Sequence, residues 1–594
     1  CATVAHAQID KEGNQLPMAD ELLIRPYIQY HTPGQGTLYW KTKVPSPSVI
    51  EYGSATSERK QVKDAKLKME HAVELSDLDP DTVYLYSVTT EKDGKATTSS
   101  DYSFDTTFNY TVVPIPADAQ PYGADKTAKS YAKAAEKILA DTGINEGYCL
   151  VYGAGRGQLA FEIAKRSNLI VQGVDEDEKA VAEGRAILAK AGLYGDRITL
   201  VPTATLDASP FTANYANLIV SDRALVGDIP GSSDEVLRVL RPTGGVAYIS
   251  GSEEGLKSWV GLNTEDYSIT KGKNTHWAKS VKGALPGAGA WSHQYGDAAN
   301  TSNSGDTLSG AGKTSEMRVQ WLGRPGADFG IDRNPRMPAP LSTNGRLFHQ
   351  GLNRVCGLDM YNGAMLWMLE IPGLRRVNIP RDAANWCADE DRVYMAIEKN
   401  LWAVDGQSGS LEHLYQLPEA QQATHEWGMI MQEDKRIFGS SVRNGGSYTT
   451  YWGGPAWYDA TEGIGTHQVC SDTIFSFTKD ADTPDWTYVN GQIINATVSI
   501  ANGVVYFVES RNEIAKASKT GRVEAKELWL DQYLVALDAN TGKVIWEKAI
   551  DTEDGIVVFY LTYKDDMLLI MSSNRPSYYF YGFSAKDGTL KWEK

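Results

Sequence analysis

The chain is 594 residues long, 42% hydrophobic and 22% charged, with a formal net charge of −17. That length exceeds one ordinary hydrophobic core and predicts three or four domains, in a composition ordinary for a soluble globular protein. So acidic a chain repels phosphate backbones and no basic stripe offsets it, which excludes nucleic acid as a partner; no apolar run approaches the roughly 20 residues that cross a bilayer as a helix.

Residues 1–22 carry no clear element. The sequence starts at Cys1, and Ala5-His6-Ala7 forms an A-x-A pattern. Three readings stay open: the tail of a cleaved signal peptide, a mature start whose Cys1 carries a lipid anchor, or a piece that begins arbitrarily. The first two predict export to the periplasm, the cell surface or the medium. The five cysteines, at 1, 149, 356, 387 and 470, are too scattered for a disulfide framework. Cys356 and Cys387 could pair in an oxidising compartment, although buried free thiols are the simpler expectation. Nine dispersed histidines show no metal-ligand spacing, and no metal site is predicted.

Residues 23–107 alternate apolar and polar side chains between turn clusters at Thr32-Pro33-Gly34 and Asp79-Pro80-Asp81, which predicts an all-β sandwich. Leu75–Val88 (LSDLDPDTVYLYSV) resembles the corner of a fibronectin type III domain. That resemblance makes Tyr84 the corner tyrosine and places Trp40 in the core between the sheets. Pro26–Thr42 resembles the N-terminal module of purple acid phosphatases, but none of that family's metal-binding motifs follows, so a spacer or adhesion surface is expected. Residues 108–122, with VVPIPADAQPYG, read as a proline-bearing linker.

Residues 123–282 hold the one segment that states a chemistry. An apolar run, Tyr148–Val151, leads into a turn with Gly153, Gly155 and Gly157, and a second run, Ile170–Val174, ends at Asp175. Glycines let the backbone turn tightly and approach a ligand, and the following helix offers its free N–H groups, so a nucleotide-like ligand is implied. A dinucleotide fingerprint would need glycine where Gln158 stands. GxGxG followed by the acid, with Asn217–Leu225 as a fourth strand and the glycine turn in Leu240–Ser250, resembles a class I S-adenosylmethionine-dependent methyltransferase. The resemblance implies an α/β Rossmann-like fold, S-adenosylmethionine as cofactor, the three glycines beneath its methionine portion and Asp175 on its ribose. Two positions depart from the pattern: Val151 stands where the family has an acid before the first glycine, and Thr205 is nearest to the acid expected after the third strand. No catalytic residue is assigned.

Gly283–Ala290 (GALPGAGA) marks the next boundary. Within 283–594 four segments share a small residue, an apolar residue, Asp or Ser, then Gly, then usually Trp. They contain Asp359, Gly363 and Trp367; Asp405, Gly409 and His413; Asp538, Gly542 and Trp546; and Ser584, Gly588 and Trp592. Each reads as strand, tight turn, strand, and the period predicts a β-propeller with the indoles buried between blades and His413 in a weaker one. Met317–Trp321 could supply a strand that closes the ring; the other reading is a chain that is a fragment of something longer. Ala536–Lys548 (ALDANTGKVIWEK) resembles the repeat of pyrroloquinoline-quinone dehydrogenases and of outer-membrane assembly lipoproteins, and Trp291–Ser304 the segment that opens such propellers. The dehydrogenases hold their quinone with adjacent cysteines that this chain lacks, so pyrroloquinoline quinone is not expected. The fold class is therefore multidomain: sandwich, Rossmann-like module, propeller. An exported binding or scaffold protein, engaging a protein or carbohydrate through propeller or sandwich, is the preferred function; a methyltransferase and a quinone-dependent oxidoreductase are the alternatives.

Overall fold

The computed structural model describes residues 21–594 except 230, 261–266, 273–274, 310, 327–328, 330–337, 375–385, 447–467, 524–525, 553–558 and 575–576. The readings of Cys1 and of the A-x-A pattern lie outside the described residues.

The N-terminal alternation produces β1 (Leu22–Thr32), β2 (Gln35–Ser54), β3 (Lys60–Leu75), β4 (Val83–Lys92), β5 (Lys95–Thr98) and β6 (Tyr102–Asp105). β2 is long enough to pair with β1 at its start and with β4 at its end, and shifts of register against β3 between Lys41 and Ser48 let it bend between the two. Leu38, Trp40, Ile50, Tyr52, Tyr86 and Phe104 meet in one core. The Tyr84 hydroxyl accepts the Asp79 N–H at 2.8 Å, pinning the turn five residues upstream.

This module does not stand apart. β1 pairs antiparallel with the outermost strand of the first C-terminal blade, with Ile28 opposite Glu370 and Gln29 opposite Leu369. One ten-stranded sheet therefore runs through both regions, where the sequence predicted separate domains. Two exposed edges, each with unpaired backbone groups, satisfy one another. Glu370 ties the joint by accepting from the Tyr30 hydroxyl at 2.6 Å and the Asp105 N–H at 3.0 Å.

The middle region alternates helix and strand: α1 (Lys126–Thr142), β7 (Tyr148–Tyr152), α2 (Gln158–Lys165), β8 (Ile170–Asp175), α3 (Glu178–Lys190), β9 (Ile198–Pro202), β10 (Leu218–Ser221), α4 (Ser233–Val239), β11 (Gly245–Gly251), α5 (Glu253–Val260), β12 (Tyr267–Lys271) and β13 (His276–Lys282). The sheet order is β12-β13-β11-β10-β7-β8-β9. The five strands from β11 to β9 are parallel and the other two antiparallel. This is the Rossmann-like α/β fold expected, and its strand order reverses between β7 and β10, the place where such sheets open a crevice at the strands' carboxyl ends. Asp125 and Asp177 cap α1 and α3 by accepting backbone N–H groups of the first turn. Ile115, in the segment read as a linker, is buried in this core.

Five blades follow. The first is β14 (Leu341–Thr343), β15 (Arg346–Gly351), β16 (Arg354–Asp359) and β17 (Met365–Glu370); the second is β18 (Trp386–Ala388), β19 (Arg392–Ile397), β20 (Asn400–Asp405) and β21 (Leu411–Gln416). The third comprises β22 (His425–Glu433), β23 (Arg436–Arg443), β25 (Thr473–Thr478) and β26 (Trp486–Tyr488), while β24 (Gln468–Ser471) pairs into the fourth. There it joins β27 (Gln492–Ile494), β28 (Ser499–Ala501), β29 (Val504–Ser510), β30 (Arg522–Val523), β31 (Gln532–Asp538) and β32 (Val544–Ala549); the fifth is β33 (Phe559–Lys564), β34 (Met567–Asn574), β35 (Ser577–Ser584) and β36 (Leu590–Glu593). Trp291–Asn300 runs along the first strands of the blades. Trp291 exchanges backbone bonds with Ser342, and the carbonyls of Ser292, Ala298 and Ala299 accept from Ala388, Ile500 and Tyr563. His293 Nε2 accepts the Gln432 N–H at 3.1 Å.

The repeat motif acts between blades. The Trp367 Nε1–H donates to the Gly406 carbonyl at 2.9 Å and its ring lies on Gly409, where a Cβ would come within 2.8 Å of it and where φ is +73°. Trp486 repeats this on Ala539 and Gly542, and Trp546 on Ala585 and Gly588. Trp486 escaped the motif because a longer loop precedes it. His413 takes the place in blade two, with Nε2 3.4 Å from the Ala481 carbonyl. Two expectations fail. Trp592 is 46% exposed, its ring lying on Gly582 of its own blade and on no glycine turn of another described blade. Met317–Trp321 is not a strand, yet Trp321 docks on blade one as a preceding blade's indole would, donating to the Met360 carbonyl at 2.9 Å and lying on Gly363.

Candidate ligand site

Gly153, Gly155 and Gly157 follow β7 directly, and all three have positive φ, of 59°, 53° and 83°. A side chain at any of them would be strained, so the sequence Gly-x-Gly-x-Gly is required by the turn itself. The Tyr122 hydroxyl fixes the turn by donating to the Arg156 carbonyl at 2.5 Å. Asp175 ends β8 beside it, so the turn and the acid are brought together, as read from the sequence.

Asp175 faces inward. Its carboxylate is 5% exposed; Oδ2 accepts the Gly155 N–H at 2.8 Å, while Oδ1 accepts the Asp177 N–H at 2.9 Å and Arg223 Nη2 at 3.0 Å. Arg223 also reaches Glu176 at 3.4 Å, and Glu176 holds the Leu206 N–H at 3.2 Å, so the guanidinium bridges the ends of β8 and β10. Val151 is fully buried within the sheet. Thr205 uses its hydroxyl to accept the Asp207 N–H in its own turn.

A second acid, absent from the sequence reading, lies nearby. Asp222 follows β10, beside the glycine turn, and accepts the Tyr131 hydroxyl of α1 at 2.7 Å. Burial pushes its carboxyl up to about 6, with Asp175 contributing in the same direction and the Tyr131 and Leu159 hydrogen bonds opposing. Burial, then the neighbouring Asp222, raises the Tyr131 phenol above its ordinary range. Both line a cavity of about 450 Å³ with Gly155, Arg156, Gln158 and Lys179. A signal existed for Asp222, an acid at the carboxyl end of the strand across the reversal point; Tyr131 and Arg223 carried none.

The opposite, amino-end face of this sheet is docked on blade one. Asp359, the last residue of β16, accepts Asn217 Nδ2 at 2.7 Å and Arg241 Nη1 at 2.6 Å, while Asn362 Nδ2, in the turn that follows, donates to the Asn217 amide oxygen and the Tyr215 carbonyl, both at 2.8 Å. Burial raises the Asp359 carboxyl against the pull of Arg241. The crevice at the carboxyl ends is thereby left clear of the blades.

The four described cysteines are free and buried, Cys356 and Cys387 among them. Among the described residues no helix is long and apolar enough to cross a membrane, and no cluster of His, Cys, Asp and Glu could hold a metal.

Residues 530–594 match the family described as outer membrane protein assembly factor BamB. The match spans β31, β32 and the fifth blade, the part where the repeat is most regular. No curated protein matches the chain. Among solved structures, a protein of Methanococcus maripaludis described as an S-adenosyl-L-methionine-dependent methyltransferase is 23% identical, with a TM-score of 0.24, over 27% of this chain and 87% of its own. An S-adenosylmethionine-dependent methyltransferase from Aquifex aeolicus is 18% identical, with a TM-score of 0.21, over 27% of this chain and 99% of its own.

Proposed function

We propose that the chain is an exported binding or scaffold protein, whose blades and N-terminal β-module present surfaces to a protein or carbohydrate partner, and whose methyltransferase-like module no longer turns over S-adenosylmethionine. One observation carries the second half: the Asp175 carboxylate is spent within the protein. To hold a ribose, a carboxylate must turn free acceptor sites toward two hydroxyls. Asp175 instead meets two backbone N–H groups and a guanidinium, and the position before the turn has a buried valine. These contacts support a module that has lost the cofactor. Export is supported by the match to an outer-membrane assembly family. The Trp291–Asn300 segment, bonded into the first strands of the blades, supports a rigid platform.

A second reading, a methyltransferase, is favoured by Asp222, a buried acid poised near neutrality in the same crevice. The two are separated by incubating the protein with S-adenosylmethionine and measuring S-adenosylhomocysteine release, alone and with cell-envelope extract as acceptor. The proposal expects no release above the protein-free rate; enzyme-dependent release would establish the second reading.

A further inference from the structure

Every described blade but the fifth buries both faces of its sheet. In blade four the alternation along β29 sends Val505 and Phe507 into the core shared with blade three, and Tyr506 and Val508 into the core shared with blade five. Blade five has the same two-faced sequence, with one face covered. Leu568 and Ile570 of β34, with Phe583 of β35, pack toward blade four. The alternate residues point the other way and enter no core among the described residues: Leu569 is 36% exposed, and Met571 and Phe580 are half-buried. The register sets Met571 beside Phe580, and Leu569 beside Gly582 and then Trp592, which makes one continuous apolar patch.

Trp592 states what the patch accepts. The Trp367 ring is held between two glycines, Gly357 of its own blade and Gly409 of the next, with its N–H on the Gly406 carbonyl. Trp592 has the first half of that seat, Gly582, and its other half is a turn with glycine at positive φ and an accepting carbonyl three residues earlier. A second copy has no such turn to offer, because Gly363, Gly409, Gly542 and Gly588 already carry Trp321, Trp367, Trp486 and Trp546. Trp321 also shows that the seat needs no complete blade, since its own segment is not a strand. We propose that the open face of blade five docks a partner β-sheet whose strands are joined by a glycine turn of this kind, its glycine against the Trp592 ring and its carbonyl on the indole N–H. The inference rests on the binding reading above and names the surface and the kind of protein partner.

The probe is a cyclised peptide of residues 532–549, the β31–β32 hairpin with Ala539 and Gly542 in its turn; cyclisation holds a hairpin that is marginal in isolation. Calorimetric titration of the full chain should show binding. Trp592→Ala, at an exposed indole, should weaken it at least about 30-fold, the loss expected of an anchoring tryptophan. Gly542→Ala in the peptide should weaken it as well, because the added Cβ meets the ring at positive φ. Hydrogen exchange should report β35 and β36 as more protected with the peptide bound, and sedimentation of the chain alone should give one mass for wild type and Trp592→Ala. Absence of binding, or binding indifferent to both substitutions, overturns the inference. Self-association that Trp592→Ala abolishes overturns it too, by giving the face to a second copy. Release of S-adenosylhomocysteine does not involve this face, so failure here is distinguishable from failure of the reading beneath it.

Discussion

Asp222→Asn should stabilise the α/β module, and the size follows from its burial. The ordinary aspartate value of 3.8 rises to about 6 in the folded chain. Because the charged form is disfavoured by folding, the sign is opposite to that of a salt-bridged carboxylate. Below pH 3.8 the group is neutral in both states and costs nothing. Between about pH 4 and 6 the unfolded chain releases the proton while the fold retains it, so stability falls as pH rises, and above about pH 6 the full cost of about 3 kcal/mol is present. Asparagine keeps an acceptor for Tyr131 and cannot ionise. After allowing for a weaker bond from the Leu159 N–H, the gain at pH 7.5 is about 1–3 kcal/mol and vanishes near pH 4. A chain of several modules has no single unfolding free energy, so the assay is hydrogen exchange of peptides from α1 and β10, read as protection factors at the two pH values. Equal or lower protection in the variant at pH 7.5 would refute the argument, since it would mean that the charge is compensated.

Trp367→Ala should cost about 3–5 kcal/mol and loosen blades one and two in the same exchange experiment, whereas Trp592→Ala, at an exposed indole, should change little. Asp359→Ala strands Arg241, which is 13% exposed, and should cost about 3–5 kcal/mol at the joint; limited proteolysis should then cut sooner within residues 283–290, and an unchanged rate would count against the interface. Gly409→Ala places a Cβ against the Trp367 ring at positive φ and should lower the thermal midpoint, while Gly143→Ala, also at positive φ but with open space around it, should do so less.

Local signals were legible where chemistry and backbone coincide. The three glycines are required by their own φ values, and the spacing from Asp to Gly to Trp in the blades marks a turn that the preceding blade's indole covers. What escaped depended on partners far along the chain. β1 shows an ordinary alternation, and nothing in it states that its edge meets β17 some 340 residues later. Met317–Trp321 has the alternation of a strand, but only its indole has a docking place. Asp175 was read correctly as the acid beside the turn; its direction is decided by Arg223, a residue that the sequence gives no reason to single out. Asp222 was visible as an acid at a strand end and was absorbed into the strand, although its position across the reversal point distinguished it.

The central claim, that Arg223 keeps Asp175 from serving a nucleoside, is tested most directly by calorimetric titration of S-adenosylhomocysteine into the wild-type chain and into Arg223→Ala. The account predicts no binding heat for the wild type and measurable binding for the variant, in which one Asp175 oxygen loses its guanidinium partner. Tight binding by the wild type, weakened by Asp175→Ala, would contradict it.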